Sequence, residues 1–333
     1  MKEIKLSTEV ALDAPDWKID HHTKILTIGS CFAEVLGGQL GDHKFDVLNN
    51  PLGTVFNPLT ICKILDSAIE GKRPNPALFL QNPDQIWLHH DFHSSQWATG
   101  QAALDAQLSD QLDEIREFLT EADLLVITLG TAYAYRHRKT NLVIGNCHKV
   151  PGDRFIKELL HFDQITIAFE QLIQKLIPYN RKLRILLTVS PVRHTRDTLP
   201  LNQVSKSTLR LVAHRLSEKY KHVDYFPAYE IMIDELRDYR FYKEDLIHPS
   251  AVAEDYIFNA FVQTYMEPDA LKFMKEWVSV RDSLAHRPLH GFTPGHLKML
   301  KSLWSKLNAI SRNVDVTAEM EEVERRIGEF PGM

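Results

Sequence analysis

Four short apolar, β-branched runs, at residues 24–28, 122–129, 183–189 and 222–226, are separated by longer stretches with apolar residues at helical spacing. Such runs are too short for helices and too uniformly apolar for strands with one wet face, so they read as strands buried on both sides. Parallel neighbours of this kind need crossovers of a dozen or more residues, which the intervening helical segments supply. The predicted class is therefore α/β, a three-layer sandwich with a central parallel sheet covered by helices. Helices are predicted over residues 32–40, 101–119, 153–176, 202–220, 229–236 and 256–265, with another from the Asn57-Pro58 cap to Ile69. Residues 71–99 read as a long functional loop or a small insertion. Tyr133 and Tyr135, followed by Leu142-Val143-Ile144, suggest a hairpin whose tyrosines pack within it. Beyond Glu267 the sequence is charged and helical without strands. This divides the chain into a sheet domain, 1–266, and a helical C-terminal appendage, 267–333, suited to a lid or an oligomerisation element.

The 333 residues carry a formal net charge of −5, and the basic residues are scattered along the chain. That argues against nucleic acid and anionic membranes as partners. No apolar run approaches the roughly 20 residues needed to span a bilayer. Self-association is left open. Cys31, Cys62 and Cys147 cannot all pair within the chain, and their spacing repeats neither a disulfide framework nor a zinc ribbon. The first twenty residues lack the apolar core of a signal peptide, so a reducing, cytoplasmic compartment is the expectation. Neither a nucleotide-binding glycine loop nor another mark of an organic cofactor is present.

In an open parallel sheet, ligands sit beyond the carboxyl ends of the strands, so the residues just after each apolar run are the informative ones. The first run delivers Gly29-Ser30-Cys31 to a helix N-terminus, where free N–H groups can hold an oxyanion. The second ends at Gly130-Thr131. The third ends at Ser190-Pro191, followed by Arg193 and His194; with Asn202 and Lys206 these could bind an anionic or hydroxylated substrate. Asp245 precedes His248 by three residues, a spacing that lets the carboxylate orient the imidazole. His89-His90-Asp91-Phe92-His93 fits no helical zinc signature, so no metal is assigned there, and His93 is placed with a loop lining the substrate entrance.

The run Gly29-Ser30-Cys31-Phe32-Ala33 resembles the motif that names the GSCFA family of the SGNH/GDSL hydrolase superfamily. Similar matches are Asn50-Pro51-Leu52-Gly53-Thr54, Leu129-Gly130-Thr131-Ala132, Gly145-Asn146-Cys147-His148-Lys149, Ser190-Pro191-Val192 and residues 245–249. Together they cover residues 23–262. The resemblance implies an SGNH-like (flavodoxin-like) fold with Cys31 at the nucleophile position, or Ser30 if the turn is one residue tighter. It implies His248 as base with Asp245 behind it, and Gly53 as an oxyanion donor. The superfamily's third block normally reads Gly-x-Asn-Asp, its Asn donating a side-chain amide; here it reads Gly130-Thr131-Ala132-Tyr133, leaving Thr131 or Asn146 to substitute. The implied activity is acyl-ester hydrolysis through an acyl-enzyme, on an acylated carbohydrate or another small polar metabolite. The alternatives are an O-acyltransferase on the same scaffold and a non-catalytic ligand-binding module.

Overall fold

Apolar runs become sheet because each can pair on both edges and bury both faces. A computed structural model describes residues 7–289, 291–312 and 314–330. In chain order, β1 (Lys24–Gly29) leads into α1 (Cys31–Asp42), β2 (Asp46–Asn49) and α2 (Pro58–Ile69). A hairpin of β3 (Phe79–Gln81) and β4 (Trp87–His89) precedes α3 (Gln101–Glu121) and β5 (Leu124–Leu129). Next come β6 (Tyr133–His137), β7 (Val143–Ile144), β8 (Phe155–Leu159), α4 (Phe162–Tyr179), β9 (Arg184–Val189), α5 (Leu199–Lys219) and β10 (Val223–Phe226). The chain continues through α6 (Ala228–Glu230), α7 (Ala251–Tyr265), α8 (Pro268–Ala285), α9 (Pro294–Ile310) and α10 (Thr317–Gly328).

The central sheet is ordered β10-β9-β5-β1-β2, and every pairing in it is parallel. Counted among themselves, these strands run 2-1-3-4-5, the flavodoxin-like order, with its switch point between β1 and β5. Successive residues feed opposite faces. Leu26, Ile28, Leu125, Ile127, Ile185 and Leu187 pack with α2 to α5 on one side. Ile25, Leu124, Val126, Leu186 and Phe226 pack with α1 and α7 on the other. The α/β three-layer class is thus observed, with helices following the sheet domain.

Three local features go beyond the sequence reading or correct it. Strand β2, pairing Lys24↔Asp46 through Thr27↔Asn49, was not predicted; at the sheet edge it spans only four residues, none of them buried, and has no continuous apolar run. Residues 153–159 are not the start of a helix. A 3-10 turn at Gly152–Arg154 leads into β8, which pairs antiparallel with β6 from Tyr133↔Leu159 to His137↔Phe155. Phe155 and Leu159 stand four apart, which suits a helix, but pairing with β6 overrides that local preference. Residues 71–99 contain the β3–β4 hairpin, paired from Phe79↔His89 to Gln81↔Trp87.

Helices α8 to α10 build their own apolar cluster around Trp277, Leu300, Leu303, Leu307 and Val323. It docks on the far end of α1: the Trp277 indole N–H donates to Asp42 O at 2.8 Å, and Lys44 pairs with Glu319 at 2.6 Å. Cys31 lies at the opposite end of that helix, about 18 Å away for twelve residues. Among the described residues, none beyond His248 lines the cleft described below. No helix among the described residues is long and apolar enough to cross a membrane.

Candidate active site

The turn after β1 dictates its own sequence. Gly29 has φ +133°, and a Cβ there would lie 2.2 Å from Thr128 O, so no side chain fits between β1 and β5. Ser30 caps α1. Its N–H donates to Thr128 O at 3.0 Å, and its hydroxyl meets Thr128 Oγ1 at 3.0 Å while accepting from Phe32 N–H at 3.3 Å. With its side chain buried and spent on the cap, Ser30 stays behind the turn, and the tighter register is corrected. Cys31, the first helical residue, is partly exposed and lines the cleft. The Thr54 hydroxyl donates to Cys31 Sγ at 3.7 Å.

His248 lines the same cleft from the loop before α7. Its Nδ1 meets Asp245 Oδ2 at 2.7 Å, while Asp245 Oδ1 accepts the N–H groups of Ile247 and His248 at 2.9 and 3.0 Å. The His248 backbone N–H, then its ring, then Ile247 N–H hold the Asp245 carboxyl down to about 2. Leu246 takes a left-handed φ of 58° inside this tight turn. Arg193 N–H donates to Ile247 O at 3.1 Å, tying the segment after β9 to the histidine loop.

The oxyanion candidates separate. Gly53 does turn the chain, with φ +72°, and its N–H donates to Asn50 O at 2.8 Å. That N–H is spent on the turn, so the assignment is corrected. The N–H groups of Cys31 and Thr54, by contrast, donate to no acceptor among the described residues. Thr131 lines the cleft; its hydroxyl accepts from Tyr133 N–H at 3.1 Å and pairs with Ser205 at 3.0 Å. Asn146 lines the cleft too, with Oδ1 accepting from His148 N–H at 2.9 Å and Nδ2 donating to Ser94 Oγ at 3.3 Å.

The cleft encloses about 970 Å³ beyond the carboxyl ends of the strands. Arg193 and His194 line it. The Arg193 guanidinium lies 3.9 Å from the Tyr242 ring centroid, and burial pushes the His194 imidazole down to about 3. Asn202 and Lys206 are corrected from substrate binding to support. Asn202 is buried and accepts from His194 N–H at 2.9 Å. Lys206 is 1% exposed, and its ammonium donates to Gly130 O and Ser190 O, each at 2.7 Å. His93 is corrected as well: it lies outside the lining, packs over Gly53 and meets Ser95 Oγ at 3.0 Å. Tyr133 and Tyr135, expected to pack within a hairpin, both line the cleft.

The model of the GSCFA family matches residues 24–261, and that of the GSCFA domain protein, C-terminal domain, matches residues 277–329. The chain belongs to the GSCFA family. No curated protein matches its sequence. Among solved structures it is similar to a carbohydrate esterase family 2 enzyme with a carbohydrate-binding domain from Corynascus thermopiles (Myceliophthora fergusii). That likeness has 15% identity and a TM-score of 0.34, over 81% of this chain and 69% of that one. It is also similar to a carbohydrate esterase family 3 protein from Talaromyces cellulolyticus, at 11% identity and a TM-score of 0.30, over 76% of this chain and 99% of that one. A family two carbohydrate esterase from Clostridium thermocellum, in complex with cellohexaose, matches at 13% identity and a TM-score of 0.31, over 79% and 67% of the two chains.

In this GSCFA chain, sequence reasoning passed over Thr54. The signal was present, since Thr54 closes the Asn50-to-Thr54 motif and follows the turn glycine. What the sequence lacks is the Val55 N–H to Gly29 O bond of 2.7 Å that lays this segment beside the nucleophile turn.

Proposed function

We propose that this chain is an acyl-ester hydrolase in which Cys31 is the nucleophile and His248, oriented by Asp245, is the base. The observation that carries the reading is the opening of Cys31 and His248 onto one cleft, with Nδ1 of His248 bound to Asp245 at 2.7 Å. That bond leaves Nε2 to take the thiol proton. The thiolate attacks the ester carbonyl carbon, and N–H groups of Cys31 and Thr54 receive the developing oxyanion. The carbon–oxygen bond then breaks, and the leaving alkoxide takes the proton from His248. Water, deprotonated by His248, attacks the thioester and restores the thiol. The His248 side chain is 39% exposed, so solvent water reaches it for the second step.

The test is hydrolysis of a short-chain aryl acetate by the wild type and by Cys31→Ala, Ser30→Ala and His248→Ala, with mass spectrometry of trapped protein. Cys31→Ala and His248→Ala should each lose about 10³-fold or more in kcat/KM. In Ser30→Ala the acyl group should still map to Cys31. An adduct elsewhere, or unchanged rates in the Cys31 and His248 variants, overturns the assignment. A wild type inert to neutral and anionic aryl esters and to acyl thioesters favours a binding module instead.

A further inference from the structure

The charge of the cleft is opposite to that of the chain. The protein carries a net −5, yet the side chains lining the cleft include Lys149, Lys157, Arg193 and Arg196 against a single carboxylate, Asp197. Lys157 is paired with Asp197, so these two cancel. Among the described residues, Lys149, Arg193 and Arg196 form no ion pair, so three cationic residues of the lining are left without a carboxylate partner. Scattered surface cations would be solvated and indifferent. Arg193 is not scattered: its guanidinium lies 3.9 Å from the Tyr242 ring centroid and 5.5 Å from that of Tyr239, and its N–H is fixed to the loop bearing His248. A guanidinium stacked in this way loses little freedom when it grips a planar or tetrahedral oxyanion. A cleft lined by one sign of charge also focuses its field on an incoming ion of the other sign.

We propose that the ester this site accepts carries a carboxylate or phosphate group, held by Arg193 together with Arg196 and Lys149 while the acyl carbon is presented to Cys31. The proposal rests on the reading of Cys31 as nucleophile but deepens it, since it names what the rest of the substrate must be. Neutral aryl acetates would then be poor substrates, and an anionic ester of the same size a better one.

The experiment avoids turnover, so that the two readings can fail separately. Native full-length protein is alkylated with iodoacetate, an anion, and in parallel with iodoacetamide, which is neutral. Labelling is mapped to Cys31 by mass spectrometry, and the ratio of the two rates is divided by that of glutathione. The thiolate displaces iodide from either reagent, so the ratio reports the field and not the chemistry. Wild type should favour iodoacetate about tenfold beyond glutathione. The preference should fall towards the glutathione value in Arg193→Gln and in the Lys149→Gln/Arg196→Gln double variant, and in wild type as salt is raised from about 0.05 to 0.5 M. Protection of Cys31 by inorganic phosphate points to a phosphate-bearing substrate, and protection by malonate to a carboxylate. Labelling in the ratio of glutathione, by neither reagent, or with no dependence on salt overturns the inference. Esterase activity can be present or absent beside any of these results.

Discussion

At the scale of residues, the candidate chemistry is held by very short-range bonds. Asp245 is bound three times by its own turn, and with its carboxyl held at about 2 it stays ionised at every pH above that value. Asp245→Asn should lower kcat/KM by about 10²–10⁴-fold at neutral pH, because the ring loses the carboxylate that orients it; kinetics on both proteins at about pH 7 check this. Thr54→Val, which removes the hydroxyl 3.7 Å from Cys31 Sγ, should cost about tenfold in the rate of acylation, read as the burst with an aryl acetate. The pairing of Asp245 with His248 was legible because the two stand three apart in sequence and meet within one tight turn. Lys206 and Asn202 were misread by proximity to a strand end. Helical periodicity held the better clue, since Asn202, Lys206, Leu209, Ala213 and Leu216 recur on one buried stripe of α5.

At the scale of elements, the carboxyl ends of β5 and β9 are joined by one buried lysine. Its ammonium bridges Gly130 O and Ser190 O, and burial pushes it down to about 7 from the usual 10.5. Between those values the unfolded chain binds more protons than the native one, so stability should rise with pH through that window. Lys206→Met should cost about 1–3 kcal/mol by leaving two carbonyls unpaired, and should abolish the alkaline gain; urea midpoints at pH 7 and 9.5 test both. The buried strands β1, β5, β9 and β10 were legible because burial on two faces writes continuous apolar runs. Strands β2 and β8 were not, because edge and hairpin strands are specified by their partners more than by their own composition.

At the scale of the whole molecule, the helical appendage braces the end of α1 that points away from the cleft. Trp277 is 2% exposed and reaches from α8 to Asp42. Trp277→Ala should destabilise the fold by about 3–5 kcal/mol, measured by denaturant unfolding, while Trp277→Phe recovers part of the packing but not the indole bond. Aryl acetate turnover in whatever fraction of either variant stays folded should be that of the wild type. The two proposed catalytic partners, meanwhile, stand at opposite ends of the sheet domain: Cys31 follows the first strand of the sheet and His248 comes after the last. On the ribosome, at about 5–20 residues per second, the thiol is made about 10–40 s before its base. For that interval the nascent chain holds a cysteine without its proposed proton acceptor, and the proposed chemistry has to wait until synthesis has passed the final strand.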